Sequence, residues 1–147
     1  MNINIGCGDK RLDNAIGVDF RQTDATDVVH DLRQYPWPFE DQQFDNAIAR
    51  DIVEHMIEVV PFFDECWRIL KSDGMLYVRT TYFMSEQAYR DPTHYHFFTL
   101  ESFDYFDPDT TIGKLYGWYT DKKWKIIRRA IDGQETIFQL QKRGYTT

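Results

Sequence analysis

The run Asp51-Ile52-Val53-Glu54-His55 sets two carboxylates and an imidazole at i, i+3 and i+4. On a helix those positions share one face. Further on, Asp91-Pro92-Thr93-His94-Tyr95-His96 adds another carboxylate and two imidazoles. Carboxylates and imidazoles together can do two kinds of chemistry. Asp51, Glu54, His55 and His94 could hold a divalent cation such as Mg²⁺, Mn²⁺, Fe²⁺ or Zn²⁺. Such a cation lowers the pKa of an oxygen bound to it. Alternatively His55 could take a proton as a general base, with Glu54 and His94 beside it as the other catalytic residues. The plainest reading makes Glu54 a helix-start anion and His55 a pocket wall.

A third group lies at the amino terminus. Ile3 and Ile5 lead into Gly6-Cys7-Gly8, and a second apolar run, Ala15 to Val18, ends on Asp19. Strand, glycine turn, strand and acid is how α/β folds hold an adenosine-containing ligand. The glycines let backbone approach the ligand closely. The acid can accept hydrogen bonds from two ribose hydroxyls. The full G-x-G-x-x-G fingerprint of dinucleotide sites is absent.

These groups need elements to position them. Strands are expected at Asn2–Ile5, Ala15–Val18, Asp27–Asp31, Phe44–Ala49 and Met75–Thr80. Helical spacing runs from Ile52 to about Leu70, with Pro61 opening a new helix at its first turn. Ser72-Asp73-Gly74 should stop that helix. Two last strands, 123–131 and 135–143, flank the hairpin signal Asp132-Gly133. This order predicts one α/β domain over residues 1–147, Rossmann-like. Its sheet is mostly parallel and seven-stranded, with a C-terminal antiparallel hairpin. Parallel crossovers normally take a dozen or more residues and a helix. The links after the first two strands are too short for full helices, so one sheet face should lack cover. A homodimer is the expected way to bury it.

Bulk composition narrows the function classes. The chain of 147 residues is 42% hydrophobic, which suits one packed core. Its net charge of -7 opposes strong capture of nucleic acid. No apolar run is long enough to cross a bilayer, and no secretion signal is seen. Two cysteines suggest a reducing, cytoplasmic setting. Aromatics reach 16%, and Trp37, Tyr82, Tyr89, Phe97 and Phe98 could frame an organic acceptor. Lys122, Lys123, Lys125, Arg128 and Arg129 read as the solvated side of an edge strand.

The stretches NIGCGDK, IGVDF, VVHDL, FDNAIARDIVEH and WRILKSDGMLYVRT, taken in this order, resemble the class I S-adenosylmethionine-dependent methyltransferases, especially the compact bacterial type 11 group. The resemblance spans roughly residues 2 to 106. It implies that Gly6, Cys7 and Gly8 line the amino-acid portion of S-adenosylmethionine. It puts Asp19 on the ribose with Phe20 beside it, Asp31 and Leu32 by the adenine, and Arg50 and Asp51 at the sulfonium. Small-RNA 2′-O-methyltransferases and some quinone-ring O-methyltransferases carry Glu-x-x-Glu-His after strand four. The RNA enzymes add a His five residues before a Thr. Asp51, Glu54 and His55, with His94 before Thr99, are similar to that pattern, which in those families binds a metal. A rival pattern, His94-x-His96 with Glu101, has cupin spacing. However, Ala88 and Pro108 replace the glycines that motif expects, and the strand density of a jelly roll is missing.

Two function classes follow. One is methyl transfer to a small acceptor, at an oxygen of a sugar or other hydroxylated molecule. The other is a non-catalytic fold relative acting as a binding partner or scaffold.

Overall fold

The amino-terminal strand reads Asn-Ile-Asn-Ile, and the last strand carries Ile137-Phe138-Gln139-Leu140-Gln141. Alternation of this kind buries every second residue and wets the others. In a computed structural model describing residues 1–144, the last strand does so throughout, while in the first Asn4 is buried beside Ile3 and Ile5. The strands are β1 (Asn2–Ile5), β2 (Ala15–Asp19), β3 (Val28–Val29), β4 (Phe44–Arg50), β5 (Leu70–Thr81), β6 (Trp124–Asp132) and β7 (Glu135–Lys142). They form one sheet in the order β3-β2-β1-β4-β5-β7-β6. The first five are parallel, and β7 runs antiparallel between β5 and β6. The Rossmann-like sheet with its closing hairpin is therefore present.

One face of the sheet holds the core. Ile3, Ile5, Val18, Ala47, Ala49, Leu76, Val78, Phe138 and Leu140 join one buried cluster with Phe62, Phe63 and Cys66 of helix α1 (Val59–Ile69). Aromatic rings complete it. Phe103 lies 4.8 Å from Phe63 and 4.5 Å from Phe138, centroid to centroid. Trp37 and Phe98, expected at the acceptor, are instead part of this core, at 2% and 5% exposure. Trp37 donates its indole N–H to the Leu32 carbonyl (2.9 Å) and its backbone N–H to Glu65 (2.6 Å). Among the described residues no helix is long and apolar enough to cross a membrane.

The other face is uncovered over much of its width. Asn46, Ile48, Met75, Tyr77, Gln139 and Gln141 are all partly or fully exposed there. The links 6–14 and 20–27 contain no helix and are stapled down instead. Arg11 donates to the Asp24 carbonyl (2.7 Å) and pairs with Asp27 (3.3 Å). Asn4 donates to the Lys10 carbonyl (2.9 Å). A Cβ on Gly17 would stand 2.1 Å from the Ala25 carbonyl oxygen, so this strand position must be glycine for the second link to lie so close. This bare face mixes the polar residues Asn46, Gln139 and Gln141 with Ile48, Met75 and Tyr77.

Two local expectations change. The stretch 52–70 is not continuous helix: a 3₁₀ turn (Val53–His55) precedes α1. Pro61 lacks the N–H that a helix begun at Ile52 would need, and it is tolerated only in a first turn. Asp51 therefore stands before the turn, at φ 55°, and not on its face. The Ser72-Asp73-Gly74 turn is a bulge inside β5: pairing jumps from Phe44 with Leu70 to Asn46 with Met75. Between β5 and β6 the chain also forms the short helices α2 (Glu86–Arg90) and α3 (Thr111–Tyr116).

Candidate functional site

A cleft of about 910 Å³ opens at the carboxyl ends of β1, β2 and β4, where open parallel sheets bind ligands. Gly6, Cys7, Gly8, Asp19, Phe20, Asp31, Leu32, Arg50 and Asp51 all line it. Gly6 and Gly8 have φ of 68° and 54°. The Gly6 and Cys7 N–H groups both donate to the Val18 carbonyl, at 2.9 and 3.1 Å. A Cβ on Gly6 would stand 2.8 Å from the Ile52 side chain, so the turn is shaped by both conformation and space.

Asp19 is buried and fastens this turn. Its carboxylate accepts from the Gly8 N–H (2.9 Å) and the Arg21 N–H (3.0 Å). Each carboxylate oxygen has a second lone pair, so both can still accept a ligand hydroxyl. Asp31 accepts from the Arg33 guanidinium (3.1 Å), and that bond holds its carboxyl below the usual range. Leu32 is buried and Phe20 exposed, an apolar floor and rim for a flat ring.

The second constellation forms where the 3₁₀ turn meets the loop after α2. One ligand atom each from Glu54, His55 and His94 lies within 4.8 Å of the others. The two imidazole rings are 4.7 Å apart. Both tautomers follow from their partners. Asp91, whose carboxyl is kept low by the Thr93 hydroxyl and N–H, can only accept. The single Thr93 hydroxyl proton goes to Asp91 (2.7 Å), so Nδ1 of His55 must donate to the Thr93 oxygen (3.0 Å). His94 Nδ1 donates to the Ala88 carbonyl (2.8 Å). In the neutral ring the Nε2 lone pair of His55 is left free, while His94 Nε2 lies 3.7 Å from the Asp91 carboxylate. Burial lowers the His55 pKa, with His94 adding to the effect, so His55 is neutral at pH 7.

Glu54 is 1% exposed, and its Oε2 has no hydrogen-bond partner. Burial pushes its carboxyl up to about 7, and the nearby Asp51 charge adds to this. A buried, orphaned carboxylate oxygen beside two imidazoles fits a proton or a divalent cation. The outer ring nitrogens tied to a carbonyl and a hydroxyl–carboxylate pair are the support metal-bound histidines usually have.

Asp51 is not in this group. Its carboxylate is ion-paired to Arg79 (2.5 Å), itself also paired to Glu135 (3.3 Å). The expected four-ligand set is thus three residues here, because the positive φ of Asp51 turns it toward β5. His96 is also elsewhere: its Nε2 donates to the Ile57 carbonyl (3.0 Å). Sequence reasoning missed Thr93, Tyr95 and Arg79 as cleft residues. Only Thr93 had a signal. Asp-x-Thr favours a tight turn, and here the Thr93 N–H donates to Asp91 Oδ1 (2.9 Å).

Comparison with known proteins bears on this fold and cleft. The family model described as a methyltransferase domain matches residues 4–78, which spans β1 to most of β5 and the whole glycine turn. No protein of curated function matches in sequence. Solved structures match across nearly the whole chain. One is from the complex between the Haloferax volcanii Trm112 methyltransferase activator and its methyltransferase (TM-score 0.66, 12% identity, 97% of this chain and 82% of that one). Another is a SAM-dependent methyltransferase from Archaeoglobus fulgidus (0.61, 16%, 95% and 85%). A third, from Thermotoga maritima, is described as a SAM-dependent methyltransferase and possible histamine N-methyltransferase (0.63, 16%, 97% and 82%). At these identities the structures speak for the fold alone. The family match carries the rest, and with it the chain belongs to the class I S-adenosylmethionine-dependent methyltransferases.

Proposed function

We propose that this protein transfers a methyl group from S-adenosylmethionine to a hydroxyl oxygen of a small acceptor, such as a sugar, with His55 taking the hydroxyl proton. The observation that carries the reading is the tautomer of His55. Its Nδ1–H is given to Thr93, which is held by Asp91, so the Nε2 lone pair is free at a cleft wall. The cofactor supplies an activated methyl on a sulfonium, so the protein's task is largely alignment and proton removal. Asp19 and the glycine turn hold the ribose and amino-acid ends. His55 is neutral at pH 7 and can accept a proton. The imidazolium then formed keeps its bond to Thr93, and Asp91 offsets part of its charge.

A second reading is favoured by the orphaned Glu54 Oε2. Glu54, His55 and His94 would hold a divalent cation, which would acidify a bound acceptor hydroxyl. Methyl transfer from labelled cofactor, run over a panel of sugars and other hydroxylated compounds, tests both readings. Under the first, His55→Ala slows transfer by about a hundredfold or more, and chelator changes nothing. Under the second, chelator and His94→Ala each abolish transfer, and Mg²⁺ or Mn²⁺ restores the chelated enzyme. Failure to bind S-adenosylhomocysteine would instead leave the non-catalytic scaffold.

A further inference from the structure

Four arginines line the cleft, and three of them are neutralised within it. Arg21 pairs with Asp19 (3.7 Å), Arg33 with Asp31 (3.1 Å) and Arg79 with Asp51 (2.5 Å). Arg50 is the fourth. Among the described residues its side chain has neither an ion pair nor a hydrogen bond, and it is exposed. Within the cleft it is the one arginine whose guanidinium is left without a carboxylate. Asp51, the next residue along the chain, is paired with Arg79.

Position adds to the case. Arg50 ends β4 and is paired in register with Arg79 on β5. Both follow Ile48 and Tyr77 by two residues, so both stand on the uncovered face of the sheet. The cleft therefore opens onto that face, with a free guanidinium at its border. A guanidinium and a sulfonium repel, so Arg50 gains nothing by facing the transferable methyl. A planar five-donor fork suits one kind of partner, an oxyanion held by two parallel bonds.

We propose that Arg50 is an anion-recognition residue for the acceptor, which would carry a phosphate or carboxylate group as well as the hydroxyl to be methylated. The proposal rests on the methyl-transfer reading and names the substrate class for that site.

The test uses the full chain saturated with S-adenosylhomocysteine, with inorganic phosphate and acetate as separate probes. Side-chain N–H resonances of arginine are followed by NMR. The Arg50 resonance should shift saturably at millimolar concentrations of one probe or both, and the probe that binds more tightly identifies the group. Arg50→Gln should weaken that binding at least fivefold. Arg128→Gln, an exposed arginine on β6 outside the cleft, should leave it unchanged. A resonance unmoved by either probe would overturn the proposal. So would a tenfold loss of S-adenosylhomocysteine affinity in Arg50→Gln, because the guanidinium would then hold the cofactor's own carboxylate. No binding of S-adenosylhomocysteine by the wild type would be a different failure, that of the methyl-transfer reading itself.

Discussion

On β5, Leu76, Val78 and Thr80 are buried, while Met75, Tyr77 and Arg79, one residue out of phase, are only partly covered or exposed. The same contrast runs across the sheet. On one face Ile3, Ala47, Leu76 and Leu140 stand in one row under α1 and the aromatic cluster. On the other, the row beside it holds Asn2, Asn46, Met75 and Gln141. A parallel sheet with helices on both sides would need apolar residues at both phases. Here the second layer of helices is replaced by the links 6–14 and 20–27, and the strands mix polar residues with Ile48, Met75 and Tyr77 where those helices would pack. The difference teaches that the fold is kept with a single core. It also teaches that the ligand cleft, normally walled in, borders an open, wet surface.

The contrast can be broken most easily at the covered face. Phe103→Ala removes the ring that joins Phe63, Phe98, Phe106 and Phe138. It should cost about 3–5 kcal/mol of stability in chemical denaturation. A loss under about 1 kcal/mol would mean that the aromatic cluster is not what holds this face.

Next in size is a pH effect at the cleft edge of the same core. The folded pKa of Glu54, about 7, lies above its ordinary value of 4.5. Below about pH 4.5 the carboxyl is neutral in both states. From about pH 4.5 to 7 the unfolded carboxyl is ionised while the buried one keeps its proton, so stability falls across that window by up to ~3 kcal/mol at 1.36 kcal/mol per unit. Glu54→Gln removes that cost. The variant should melt above wild type at pH 8 and match it near pH 4. Equal melting at pH 8 would show that Glu54 is already compensated, as by a bound cation.

Where the two faces meet at the end of β2, Asp19→Ala should weaken S-adenosylhomocysteine binding by roughly 2–3 kcal/mol, the range for bonds to a charged group. Calorimetry reads this directly. Unchanged affinity would reduce Asp19 to the staple of the glycine turn seen in its bonds to Gly8 and Arg21.

The smallest effect belongs to the open face. Tyr77→Ser should change stability by no more than about 0.5 kcal/mol if that face is solvated. The homodimer proposed from the short links would have to use this face. Tyr77→Glu should then shift the mass seen by light scattering from twice the chain to 17.6 kDa. An unchanged mass would place any dimer elsewhere.

The sequence by itself determined the strands, their order and the cofactor half of the cleft. The physical reason is locality. Gly6, Gly8 and Asp19 sit at strand ends, so fixing β1 and β2 fixes their positions, and a two-residue turn at Gly133 and Gln134 closes the last hairpin. The short links after β1 and β2 also carried the uncovered sheet face. Tertiary structure decided the rest. That Glu54, His55 and His94 meet depends on a loop 38 residues further along returning to a 3₁₀ turn, with Thr93 bonded to His55. That Asp51 leaves them depends on one positive φ and on Arg79, its partner across β4 and β5. Long-range contacts of this kind have no period and no fixed spacing, so residue types could nominate the candidates but only packing could choose among them.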